Sequence, residues 1–219
     1  MSALTSERCA ASMAHHKEVP MKMISRLAML AATATALAGC ASVQPSGWQT
    51  LIDGGRGMDN FTNMGTANWR AEADAMVADK RVGTDGTNYL ATKAAFKDFH
   101  IRVEFWVSDD ANSGIYVRCS DVRPMTDRTC HEANIFEKRP DPSYATGAIV
   151  WLVHGPQPVP KTGGQWNTME VIAKGPGMTV IVNGVKTAET NEARDHSGVI
   201  GLQYAGGVVK FRKLEIKPL

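Results

Sequence analysis

Residues 99–107, FHIRVEFWV, alternate without a break. Phe99, Ile101, Val103, Phe105 and Val107 are apolar, and His100, Arg102, Glu104 and Trp106 stand between them. A period of two places the first five on one face of a β-strand and the other four on the opposite face. A strand apolar on one side must bury that side against a second layer. Similar segments follow along the chain: GIYVR (114–118), EANIF (132–136), GAIVWLVH (147–154), WNTMEVIAK (166–174), MTVIVNG (178–184), GVIGLQY (198–204) and VVKFRKLEI (208–216). WRAEADAMVA (69–78) and NYLATK (88–93) carry the pattern more weakly. Gly, Asn, Asp and Pro separate the segments, and KGPGM (174–178) and NG (183–184) are turn signals at hairpin spacing. No stretch of the presumed domain reads as a helix. The expectation is an all-β domain, antiparallel, built as a two-sheet β-sandwich.

The N-terminal part obeys other rules. MKMISRLAMLAATATALAGCAS, 21–42, has Lys22 and Arg26 ahead of an apolar run and small residues before a cysteine. This is the pattern of an export signal, and Leu37-Ala38-Gly39-Cys40 fits a bacterial lipobox. The alternatives are an ordinary cleaved signal or a membrane helix, for which the apolar run is short. Residues 1–20 then read as an extension ahead of a truer start at Met21 or Met23. The expected organisation is a signal over 21–39, lipidation at Cys40, a tether over 40–47 and one domain over 48–219. Ala41 after Cys40 points to an outer membrane, the domain facing the periplasm. Four of the 24 basic and two of the 22 acidic residues precede Cys40, which leaves 20 of each. A balanced chain without a basic run or an aromatic platform among cations gives no reason to expect a nucleic-acid partner.

Export places Cys119 and Cys130 in an oxidising compartment, where a disulfide closing the polar loop between them is expected. Metal ligation is the alternative, but neither a CxxC nor clustered histidines accompany the pair. Asp109, Asp110 and Asn112 form an oxygen-rich turn without the spacing of an EF-hand loop. The common nucleotide-binding and hydrolase motifs do not occur.

The motifs acquire meaning from their order. WQTLIDG (48–54) and Trp69 come first, and DFHIRVEFWV then runs into NSGIYVR (112–118). E-x-x-I at 132–135, TGAI (146–149), GGQWNTMEV (163–171), VNG (182–184), GVIGLQ (198–203) and the closing FRKLEIKPL (211–219) follow. This succession resembles the 3-keto-disaccharide hydrolase domain family over residues 47–219. The resemblance implies a concanavalin A-like jelly roll that binds sugars on its concave sheet and cleaves glycosides already oxidised at C3. The chain departs from the family pattern in its cysteine pair. His131 stands where an aromatic residue is usual, and Asn134 where glutamine is.

A C3 ketone acidifies the hydrogen on C2. Removing it gives an enolate that expels the aglycone from C1, after which water can add. Such chemistry needs a base, a donor at the enolate oxygen and an acid at the leaving oxygen. It does not need the paired carboxylates of ordinary glycosidases.

Glu132 is the first candidate for the base, on a strand whose other face, Ala133 and Ile135, is apolar. It could equally be a solvated carboxylate or a partner for Arg118. His154 could protonate the leaving group, ligate a metal beside Glu132, or simply end its strand. His131 should lie on the face opposite Glu132. Arg118, in phase with Tyr116, could polarise the ketone, hold Glu132 ionised, or form a structural ion pair. Asn112 and Asn134 are candidate hydrogen-bonders to sugar, although Asn112 also suits a turn. Gly114 would let a sugar approach the backbone. Trp106 is a candidate stacking plate, and Gln203 could reach the groove. Trp151, in phase with Ile149 and Val153, reads as core. A divalent metal ion is compatible with the chemistry, but no ligand pattern compels one. The expected partners are an oxidised saccharide and, through Cys40, a membrane. The expected function is cleavage of 3-keto-glycosides by hydrolysis or elimination, with a non-catalytic carbohydrate-binding module or a structural envelope lipoprotein as alternatives.

Overall fold

A computed structural model describes residues 47–83, 88–120, 123–194 and 196–219. The leader, Cys40 and the tether up to residue 46 lie outside the described residues. Thirteen strands are present among those described: β1 (Gln49–Asp53), β2 (Phe61–Met64), β3 (Arg70–Ala71), β4 (Met76–Ala78), β5 (Tyr89–Thr92), β6 (Phe99–Val107), β7 (Ser113–Cys119), β8 (His131–Ile135), β9 (Trp166–Lys174), β10 (Gly177–Val182), β11 (Val185–Thr190), β12 (Val199–Gln203) and β13 (Val209–Pro218). The only helical pieces among them are two short 3-10 turns at 58–60 and 142–144.

The strands form two antiparallel sheets. One runs β11-β10-β9-β6-β13-β4-β3, with β1 also paired to β13, and the other runs β2-β5-β12-β7-β8. The expected two-sheet sandwich is therefore the observed fold. The apolar row of β6, Phe99 to Val107, is buried, and the core continues through Ile115 and Val117 of β7, Ala133 and Ile135 of β8, and Ile200 and Leu202 of β12. The β10–β11 hairpin turns at Asn183 (φ 48) and Gly184 (φ 78), the left-handed pair that an NG turn supplies.

One expected strand does not form. In 147–154, Ile149 bridges Ala133 of β8, after which the chain turns tightly, and the N–H groups of Leu152 and Val153 both donate to the Ile149 carbonyl. Trp151 sits in that turn at φ 62 and is 46% exposed, contrary to its expected place in the core. The apolar spacing of this segment is real, but only its first half pairs with a neighbour.

The expected disulfide, Cys119–Cys130, is formed. It closes the loop between β7 and β8, and the loop folds back over the five-stranded sheet. Met125 from its middle is fully buried against Tyr89, Tyr116 and the cysteines.

Candidate active site on the five-stranded sheet

The pairing of β5, β12, β7 and β8 sets out the outer face of this sheet in rows. One row reads Tyr89, Gln203, Gly114, Asn134, and the next reads Ala91, Gly201, Tyr116, Glu132. Each row contains a glycine, and each glycine makes room for something larger. A Cβ on Gly114 would lie 2.7 Å from Glu132 Oε1, so the carboxyl leans diagonally over Gly114. A Cβ on Gly201 would lie 2.7 Å from the sulfur of Met125. Gly114 thus receives the Glu132 carboxyl, whereas the sequence suggested that it receives a sugar.

Around Gly114 the polar groups converge. Glu132 is 4% exposed. Burial is the main cause that lifts its pKa from 4.5 to about 7. A hydrogen bond from Tyr116 and the positive charge of Arg139 counteract this, and Asp127 adds to it. The Gln203 amide donates to the Tyr116 hydroxyl at 2.9 Å. The Tyr89 and Tyr116 rings meet edge to face at 4.8 Å. Burial pushes the Tyr89 phenol up to about 12 and Tyr116 well above its usual range, so both remain proton donors near neutrality. Asn134 donates to the Tyr144 carbonyl at 2.5 Å. That leaves Asn134 Oδ1 and Gln203 Oε1 buried with no partner, one on either side of Gly114. Unpaired buried acceptors are uncommon and costly, and hydroxyl donors from a bound molecule would satisfy them.

Two expected site residues lie elsewhere. Trp106 is on β6 in the other sheet, facing outward with Lys210 at 5.3 Å, on the opposite side of the sandwich from Glu132. Alternation identified its wet face but could not say to which sheet that face belongs. Arg118 is fully buried and turns away from Glu132. The pairing of β7 with β12 slips between Val199 and Gly201, and Arg118 takes φ 51, so it loses the phase of Tyr116. Its guanidinium donates to Asp98 at 3.0 Å and to the carbonyls of Lys97, Gly175 and Arg194. Arg118 is the structural ion pair, not the electrophile.

His154 is exposed on the rim, its ring against Tyr144 at 4.9 Å, and makes no hydrogen bond to Glu132. Asn112 enters β7 in the phase of Gly114, half-buried, with its backbone bridged to Gly206. His131 faces away from Glu132, as expected; its Nε2 accepts from the Arg194 N–H at 2.8 Å, and burial pushes its pKa down to about 4. Among the described residues no three of His, Cys, Asp and Glu group as a metal-ligand set. Asp110 accepts from Ser108 at 2.6 Å, within its own turn. Tyr116 and Tyr89 were missed as site residues. Tyr116 stands level with Glu132 only through the β7–β8 register, for which the sequence carries no signal.

The comparisons with known proteins agree with this fold. No curated protein matches the chain. Two solved structures of candidate glycosyl hydrolases from Parabacteroides distasonis ATCC 8503 align with TM-scores of 0.65 each. One has 17% identity over 80% of this chain and 95% of its own, and the other 22% over 79% and 100%. A Bacillus subtilis protein of unknown function with a galectin-like fold aligns at TM-score 0.53, with 12% identity over 74% of this chain and 90% of its own. At such identities these likenesses establish the jelly-roll fold. The family model for 3-keto-alpha-glucoside-1,2-lyase-like domains matches residues 47–217, nearly the whole of the described sandwich, and the chain belongs to that family.

Proposed function

We propose that the protein cleaves glycosides whose sugar carries a ketone at C3, with Glu132 as the base. The observation that supports this most directly is a nearly closed-off carboxyl with a pKa of about 7, hydrogen-bonded to Tyr116 and flanked by two unpaired amide oxygens. The Glu132 carboxylate takes the C2 hydrogen, and its electron pair passes into the C2–C3 bond and the ketone oxygen. Tyr89, held protonated by burial, is the first donor for that enolate, and the Tyr116 hydroxyl, which donates to the ionised Glu132, becomes a second one as Glu132 takes up the proton. Collapse of the enolate forms the C1–C2 double bond and breaks the bond from C1 to the aglycone oxygen, which leaves with a proton. Release at this stage is elimination. Addition of water at C1, with a proton returned to C2, makes the outcome hydrolysis. Asn134 Oδ1 and Gln203 Oε1 accept from sugar hydroxyls and set the ring against the Glu132 carboxyl that covers Gly114. Asn112 extends the same face. His154, exposed beside Tyr144, is the candidate donor of the proton to the leaving oxygen.

A non-catalytic carbohydrate-binding domain would also use the two amide oxygens. It would have no need of a carboxyl brought to neutrality by burial. We also propose that the protein is a lipoprotein of the bacterial envelope, anchored at Cys40. Labelling by palmitate in cells, lost in Cys40→Ser, tests that part separately.

The enzymatic test uses the purified full-length protein, a 3-keto-glucoside with a chromogenic aglycone and the unoxidised glucoside as control, each with and without chelator. Release from the keto substrate alone, lost in Glu132→Gln, is the expected result. Equal release from both substrates, or release unaffected by the substitution, would refute it.

A further inference from the structure

The rows of the five-stranded sheet also decide which way a bound molecule can extend. On the β12 side the way is closed by Met125, fully buried on Gly201. A cavity of about 830 Å³ among Thr62, Met64, Ala91, Lys93, Pro124 and Val199 lies beyond it and does not reach Glu132. On the other side, β8 is the last strand of the sheet, and the 147–154 turn lies along it, with the Val150 N–H donating to the Glu132 carbonyl.

That turn carries an aromatic shelf. Trp151 is the large exposed apolar side chain that borders β8. It occupies a left-handed backbone position that chains normally give to Gly or Asn. Its indole N–H is fixed to Asp127 at 2.5 Å, and Tyr144 packs beside it at 5.2 Å. The guanidinium groups of Arg128 and Arg139 approach the ring at 4.9 and 5.8 Å. The Val150 N–H bonds the Glu132 carbonyl at 3.0 Å, so the shelf starts one residue from the strand position of Glu132, and Asp127 and Arg139 also act electrostatically on its carboxyl. With its N–H already used and two guanidinium groups over the ring, what the half-exposed indole offers a visitor is the part of its flat face that they leave open. A strained, doubly anchored and exposed aromatic ring beside a reactive carboxyl has the form of a binding surface.

We propose that the Trp151–Tyr144 shelf is the subsite for the leaving group. It takes an aglycone that presents a flat C–H or π face, either a second pyranose or an aryl ring, with Asp127 and Arg139 bonding its polar edge. The proposal rests on the reading of Glu132 as the base. It makes the substrate run off the β8 edge of the sheet and not across it.

The test compares kcat/KM for 3-keto-glucosides with methyl, 4-nitrophenyl and glucosyl aglycones in the full-length protein, Trp151→Ala and Trp151→Phe. The preference of the protein for its favoured flat aglycone over methyl is expected to fall by about ten-fold in Trp151→Ala and to be largely kept in Trp151→Phe. Whichever of the two flat aglycones depends on Trp151 identifies the source. Equal losses on all three substrates, or no preference for a flat aglycone in the unsubstituted protein, would overturn the subsite. If the unsubstituted protein releases nothing, the catalytic reading fails and calorimetry decides the shelf. Binding of unoxidised phenyl glucoside or a glucosyl disaccharide that is lost in Trp151→Ala supports it. Binding of neither, or binding indifferent to Trp151, overturns it.

Discussion

Glu132 gives two pH-dependent predictions that pull against each other. As a base it must be ionised, so kcat/KM is expected to rise with pH through about 7. Glu132→Gln should lower it by about 100- to 10,000-fold, the usual worth of a positioned base. Stability should move the other way. The folded protein holds this proton more tightly than the unfolded chain, in which the carboxyl has its ordinary value of 4.5. The stabilising contribution is present below that value and is lost as pH rises through about 7. His131, pushed down to about 4, acts oppositely over much of this range, but it is common to both proteins. Glu132→Gln is therefore expected to raise Tm at pH 8 and to change it little at pH 4. A Tm difference independent of pH would show that burial does not set this pKa. The candidacy of Glu132 was legible because Ala133 and Ile135 marked the opposite face as core. The roles of Tyr116 and Tyr89 were not, because a tyrosine on a wet face reads alike whether or not a carboxyl leans toward it.

At the level of elements, the site depends on the β7–β8 pairing and on one missing side chain. Gly114→Ala would place a methyl 2.7 Å from Glu132 Oε1. The carboxyl can swing away, so the fold should survive, but the base is displaced. A loss in kcat/KM of roughly 100-fold is expected, with near-native thermal unfolding, because misplacement of about 1 Å suffices for such a loss. Unfolding at a much lower temperature would show that Gly114 serves the fold instead. Long alternating segments were read well: β6 and β9 run over the residues that their patterns mark. The 147–154 segment was not, because its apolar residues satisfy a strand pattern while its hydrogen bonds turn back on themselves at Ile149. Periodicity reports which residues seek the core. It does not report whether a partner strand is within reach.

Across the whole molecule, two fastenings hold the end of the sandwich away from Gly114. Arg118 ties β7 to Asp98, ahead of β6, and to the β9–β10 turn at Gly175. Asp98 is partly exposed and keeps the Gly175 N–H, but the carbonyls of Lys97, Gly175 and Arg194 lose a buried donor, so Arg118→Ala should cost about 3 kcal/mol. Denaturant unfolding measures that cost, and the pH limb of whatever activity remains should still lie at about 7. A shifted limb would return Arg118 to the active site. The disulfide closes the loop that carries Met125. Replacing both cysteines by serine should cost roughly 3 kcal/mol in the chain-entropy picture. It should also loosen Met125 from Gly201, measurable as faster hydrogen exchange at Met125 and Gly201 than in the oxidised protein.

The inward face of nearly every long strand, the hairpin at Asn183-Gly184, the cysteine pairing and the sandwich itself follow from local rules. A period of two, a turn that needs positive φ and two cysteines eleven residues apart at the ends of one loop act on neighbours along the chain. The composition of the site does not follow from such rules. Trp106 and Glu132 both stand on polar faces of good strands, yet β6 joins one sheet and β8 the other, so their side chains point to opposite sides of the molecule. Arg118 and Tyr116 are two residues apart, yet a slip against β12 and a left-handed residue send them to different surroundings. Sheet membership, register slips and the return of a loop across a face are set by contacts between residues distant in sequence. Alternation within one strand carries no record of them.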